Sequence, residues 1–186
     1  MRILAAAFAV VAIAFPAIAA PLGDDGLHKP DWLRETFKVM AEDLEEASAE
    51  GKRMLVIFEQ RGCIYCTKMH EEVFPTPEVN ALLREKYFVV QMNLFGDVEV
   101  TDFDGVTLPE KEMAARWGVL FTPTLLFMPE EVPEGGTAAE AAVVVMPGAF
   151  EKTTTRNLLT WVLERGYDGE EHFQKYHARN LGPATQ

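Results

Sequence analysis

The chain has 186 residues, a formal charge of −12 and an apolar share of 48%. That length suits one domain with extensions. The acidic balance argues against a nucleic-acid partner held through its phosphates and against docking on an anionic membrane surface. A neutral or positively charged protein partner is compatible with it.

Met1-Arg2 precedes an apolar stretch from Ile3 to Ile18, which closes with the small-residue pattern Ala17-Ile18-Ala19. This is the layout of a secretory signal, and it predicts export with cleavage after Ala19 or Ala20. The run is short for a span of about 20 residues. Residues 20–30 hold Pro21, Gly23, Gly26 and Pro30 and read as a flexible lead-in. Asp31 is placed to cap a helix running to about Glu50, with Leu33, Phe37, Met40, Leu44 and Ala47 on one face. Gly51 stops it. Met54 to Phe58 reads as a buried strand, and Cys63 to about Phe74 as a helix. Thr76 as N-cap and Pro77 as first residue open another helix ending near Lys86, and Phe88 to Leu94 is a second strand.

Asp97 to Leu108 reads as an acidic surface hairpin turning at Asp104-Gly105. Its acids do not match the helix–loop–helix calcium pattern, because Val100 stands where the first carboxylate belongs. A short helix from Pro109 to Trp117 follows, then a strand from Thr124 to Met128. Pro133 to Thr137 is a loop, Ala142 to Met146 a strand, and Lys152 to Arg165 a helix, with one more helix around Glu170 to Ala178.

Both cysteines of the chain, Cys63 and Cys66, lie where the first strong strand gives way to a helix. Free N–H groups and the helix dipole at that junction favour a thiolate, so the Cys63 thiol is expected to be acidic and nucleophilic. Cys66, one turn on, can close a small disulfide ring with it. Two cysteines this close cannot staple distant parts of a fold, and the pattern points to dithiol–disulfide exchange, which needs no cofactor. A different class stays open. Cys63, Cys66 and His70 form a soft-metal set for copper or zinc, as in a metal chaperone, with a surface histidine as the plainer reading of His70. Haem attachment is excluded by Thr67, since it needs a histidine there.

The element order, with parallel crossovers followed by a closing hairpin, is that of a thioredoxin fold: α/β, a central mixed sheet flanked by helices, here with an N-terminal helix and the acidic hairpin inserted. The block Phe58-Glu59-Gln60, Gly62-Cys63, Tyr65-Cys66 and Lys68 to Phe74, followed by Phe121-Thr122-Pro123-Thr124, resembles exported thioredoxins of the SoxW type from sulfur-oxidation clusters. The likeness runs from about Asp31 to Arg165, within a domain spanning 31–166 and a C-terminal extension from 167 to 186. It implies a periplasmic protein-disulfide reductase in which Cys63 attacks and Cys66 resolves. Thr122-Pro123 would be a substrate-binding loop with a cis peptide bond. It also implies cysteine-containing periplasmic partners, among them sulfur-oxidation components, and a membrane electron carrier of the CcdA/DsbD type as reductant. The chain departs from ordinary thioredoxin in two respects. Gly62-Cys63-Ile64-Tyr65-Cys66 replaces the usual Trp-Cys-Gly-Pro-Cys. The buried acid expected six residues before the first cysteine is Ile57, which leaves Glu59 as the candidate for proton transfer, with a solvated strand-end carboxylate as its alternative role.

Overall fold

The computed structural model describes residues 20–181; the expected signal segment, 1–19, lies outside them. Five strands form one sheet in the order β1-β3-β2-β6-β7. β2 (Arg53–Glu59) and β3 (Tyr87–Asn93) are its centre, paired in parallel with Leu55 opposite Val89. β6 (Thr124–Phe127) runs antiparallel to β2, and β7 (Val144–Pro147) antiparallel to β6.

The two-residue alternation of β2 sends its side chains to two cores. Leu55 and Ile57 face α3 (Pro77–Lys86) and α6 (Lys152–Leu163), against Leu83, Leu158 and Val162. Met54, Val56 and Phe58 face α1 (Met40–Ala49) and α4 (Glu110–Arg116), against Leu44, Ala47 and Met113. Both faces being covered explains why β2 is an unbroken apolar run between its terminal charges. Among the described residues, no helix is long and apolar enough to cross a membrane.

Three local expectations need correction. The first helix does not begin at Asp31: Leu33–Arg34 is a short strand, β1, parallel to β3, and α1 starts at Met40. Phe37, expected on its buried face, is 93% exposed. Asp31 pairs with Arg84 instead of capping. The backbone groups on the open side of β3 take a strand partner, and this tertiary pairing outweighs helical periodicity.

The lead-in is folded rather than loose. Leu22 bridges to His28, Leu27 is buried, and Arg61 donates to the carbonyls of Asp24 and Asp25. In the inserted hairpin, β4 (Glu99–Thr101) and β5 (Thr107–Pro109) are joined by five residues rather than a two-residue turn. The reason is Asp102, which points inward. Its two oxygens accept from the backbone of Phe103 and Ala138, the Trp117 indole at 2.7 Å and Arg116 at 2.9 Å. Between the loop and the strand read from the sequence, in a stretch assigned no element, lies an additional short helix, α5 (Ala138–Ala141), opened by a reciprocal cap between Thr137 and Glu140. Beyond α6, a 3-10 turn (Gly166–Asp168) leads to α7 (Phe173–Arg179), which packs its buried Tyr176 on the domain.

Candidate functional site

β2 ends at Glu59, and a turn through Gly62, at φ 72°, delivers Cys63 to the head of α2 (Ile64–Lys68). Cys63 is the N-cap residue. Its carbonyl accepts from Thr67 at 3.0 Å, and its Sγ accepts the backbone N–H of Cys66 at 3.0 Å. The two cysteines form a disulfide, with Cα atoms 5.2 Å apart. Their environments differ in the direction exchange needs: Cys63 keeps 8% of its surface and Cys66 only 1%.

Across from the pair, the Thr122–Pro123 peptide bond is cis, and the Thr122 hydroxyl donates to Cys63 Sγ at 3.3 Å. The loop is anchored by Thr124, whose hydroxyl donates to the Phe121 carbonyl at 2.7 Å, and by Gly148, whose N–H donates to Pro123 at 2.7 Å. The Cys63 sulfur thus lies between two donors, an arrangement that favours a thiolate over a thiol. Ile64, Tyr65, Leu120 and Phe121 are exposed on the two segments that carry this site, where a partner's surface would lie.

Behind the disulfide the helix widens into one π turn, Met69–Val73. His70 sits there and is buried, which corrects the reading of a surface histidine. Its Nε2 bonds Glu59 Oε1 at 2.8 Å. Glu59 is likewise buried, not solvated, and its Oε2 accepts from Gln91 Nε2 at 2.5 Å. Gln91 passes the network outward, accepting from Lys29 Nζ at 2.6 Å and donating to the His28 carbonyl. The His28 ring stacks on His70 with centroids 4.4 Å apart, and Trp32 lies parallel to it at 6.1 Å. Burial, then the neighbouring His70, holds His28 below the usual histidine range.

Among the described residues, no cluster of three metal-binding side chains forms, so the soft-metal set is not assembled. Ile57 is buried in the core, as an apolar residue there should be. The sequence reading placed Cys63, Cys66, Thr122 and Glu59 in this region but missed His28, Lys29, Trp32 and Gln91. Only chain folding brings the N-terminal arm onto β3, and no local pattern announces it.

Known proteins fit this architecture. The family model for a thioredoxin-like domain matches residues 40–141, more than half of the chain. A thioredoxin-fold protein from Helicobacter pylori is similar at 18% identity, covering 70% of this chain and 80% of that one, with a TM-score of 0.51. A thioredoxin from Thermus thermophilus is similar at 26% identity, covering 69% and 86%, with a TM-score of 0.51. No curated protein matches the chain. The sheet order, the cysteine pair at disulfide distance and the opposed Thr122–Pro123 loop agree with that match, are consistent with thiol–disulfide oxidoreductase chemistry, and place the chain in the thioredoxin-like domain family.

Proposed function

We propose that the protein is an exported protein-disulfide reductase of the SoxW type. The observation that carries this is the asymmetry of the cysteine pair: a Cys63 that keeps the larger share of exposure, its sulfur served by two donors, and a sealed Cys66 behind it. In the reduced protein the Cys63 thiolate attacks a partner disulfide. One partner sulfur leaves as a thiolate and takes up a proton, and a mixed disulfide remains. Cys66 then loses its proton, attacks Cys63 Sγ and expels the second partner sulfur. Two electrons pass to the partner, and the Cys63–Cys66 disulfide is the product.

Partners of this chemistry are cysteine-containing periplasmic proteins, sulfur-oxidation components among them. A membrane carrier of the CcdA/DsbD type would return the electrons. The apolar leader before residue 20 and the motif likeness support export and pathway.

Cys66→Ser, expressed in the native host, should trap a mixed disulfide through Cys63 that mass spectrometry identifies, while Cys63→Ser should trap little. The wild-type protein should reduce insulin disulfides with dithiothreitol as electron source. Trapping through Cys66, or no insulin reduction, overturns the reading.

A further inference from the structure

We propose that the cavity between the N-terminal arm and the loop after β3 receives a carboxylate side chain of the partner, one close in the partner's sequence to the disulfide that Cys63 attacks, and that Arg61 is the cation that holds it. This rests on the exchange reading above and adds the chemistry by which a partner is chosen. The cavity measures about 490 Å³, with Lys29 from the arm, Arg61 from the redox turn, Asn93 at the end of β3 and Phe95 beyond it in its wall. Arg61 belongs to the turn that the Cys63 N–H closes on the Gln60 carbonyl at 3.3 Å. Its Cα is no more than two chain steps of about 3.8 Å from that of Cys63. One wall of the cavity is therefore the segment that delivers the reacting cysteine.

Three carboxylates also face the cavity, and each already has a lysine. Asp25 pairs with Lys29 at 2.7 Å, Glu110 with Lys38, and Asp97 with Lys111. Arg61 is the exception. Its Nε and Nη2 donate to the carbonyls of Asp25 and Asp24, at 3.3 Å and 2.9 Å, and among the described residues it forms no ion pair. Neutral carbonyls hold the guanidinium in place and leave its charge uncompensated. The chain as a whole carries a formal charge of −12 and repels a strongly acidic partner. Arg61 asks for one carboxylate at one place.

The arm prepares the guanidinium for that role. Gly26 has a φ of 75°, and a Cβ there would stand 2.6 Å from Arg61 Nε and 2.9 Å from its Cγ. Glycine at this position is what lets the arm and the Arg61 side chain lie so close. A side chain already ordered loses little freedom on binding. The planar guanidinium fork also matches a carboxylate in a way that a lysine does not. Phe95 and Val98, both exposed, line the same cavity and offer apolar contact to the methylenes of a glutamate.

Peptides with a single cysteine capped as its 2-pyridyl disulfide test this against the reduced protein. Cys63 bonds to the peptide sulfur, pyridine-2-thione leaves, and its absorbance gives the rate of attack. The peptides carry Glu, Gln or Lys at two, three or four residues from the cysteine, on either side. At low salt, glutamate at the favoured spacing should react about fivefold faster than glutamine, and lysine more slowly than both. The Glu-to-Gln ratio should fall toward one in about 1 M salt, where the Debye length is about 3 Å. Arg61→Gln should bring the ratio to about one at low salt, and Arg61→Glu should invert it. Arg61→Lys keeps the charge without the fork and should retain part of the preference.

A wild-type ratio near one at every spacing overturns the proposal, and that measurement needs no variant to fold. A preference that survives Arg61→Gln also overturns it. All peptides slowed alike in that variant, with the ratio kept, would mark Arg61 as a tether of the arm only. If no peptide reacts with the wild-type protein, the exchange reading itself falls instead.

Discussion

β2 carries a charge at each end, and the two ends are built to different plans. At its start, Arg53 is buried but faces outward chemistry. Nη1 donates to the Tyr167 hydroxyl at 2.7 Å, and Nη2 bonds Glu130, a carboxylate also shared with Arg165 and half open to water. At its end, Glu59 and His70 are both sealed, their side chains 1% exposed. Water stands in readily for a lost partner at the first end, whereas at the second Glu59 is fully enclosed. The Arg53 end is a staple between the sheet and the loop after β6. The Glu59 end stores a pair of ionisable groups in the interior, at a desolvation cost that fold stability alone does not require.

Removing one member at each end is the sharpest test of that contrast. Glu59→Ala leaves the His70 and Gln91 donors without their acceptor and should cost about 2–4 kcal/mol in urea denaturation. Arg53→Ala leaves Glu130 to be hydrated and should cost about 1–2 kcal/mol, mostly in lost packing. Equal losses would erase the distinction between an open and a sealed charge.

The glycines flanking β2 extend the comparison at smaller scale. Gly51 and Gly62 both have positive φ, 66° and 72°, with open space where a Cβ would stand. Alanine at either should therefore cost about 1–2 kcal/mol, through backbone conformation and not through a clash. Only Gly62→Ala should also change the rate at which iodoacetamide labels Cys63, because only that turn delivers the cysteine. A matching change from Gly51→Ala would contradict this.

The smallest effect expected is in pH. His28 is depressed below its ordinary value of about 6.5 by burial and by His70. The unfolded chain then binds more protons than the folded one as pH falls through that value. Stability is full above it, declines toward the folded-state pKa and levels off below. His28→Gln should flatten that stretch of the urea-midpoint profile. An unchanged profile would mean that the arm's stacking on His70 is insensitive to charge.

The sheet centre was legible because Met54 to Phe58 is apolar on both faces and Phe88 to Leu94 carries Phe88, Val90, Met92 and Leu94 on one face, patterns that point to covered strands. The cysteine pair and the Thr122–Pro123 loop were legible because short motifs carry them. The arm was not. Leu33 and Phe37 fit a helical period with Met40 and Leu44, yet Leu33 pairs with Val89 and Phe37 meets solvent. His70 was misread for a related reason: its burial depends on Glu59, eleven residues earlier, and on an arm that composition alone marked as loose. The Thr137–Glu140 cap was a local signal, and it was overlooked.

Asp102 changes how the inserted hairpin should be regarded. One carboxylate holds the hairpin turn, the side chains of Arg116 and Trp117 at the end of α4, and the first N–H of α5. A fluctuation that peeled the hairpin away would take the carboxylate from Arg116, Trp117 and Ala138 together. The hairpin is therefore not a passenger that can fray alone: its opening and the loosening of the α4–α5 side are one cooperative event, sharing one opening free energy in hydrogen exchange.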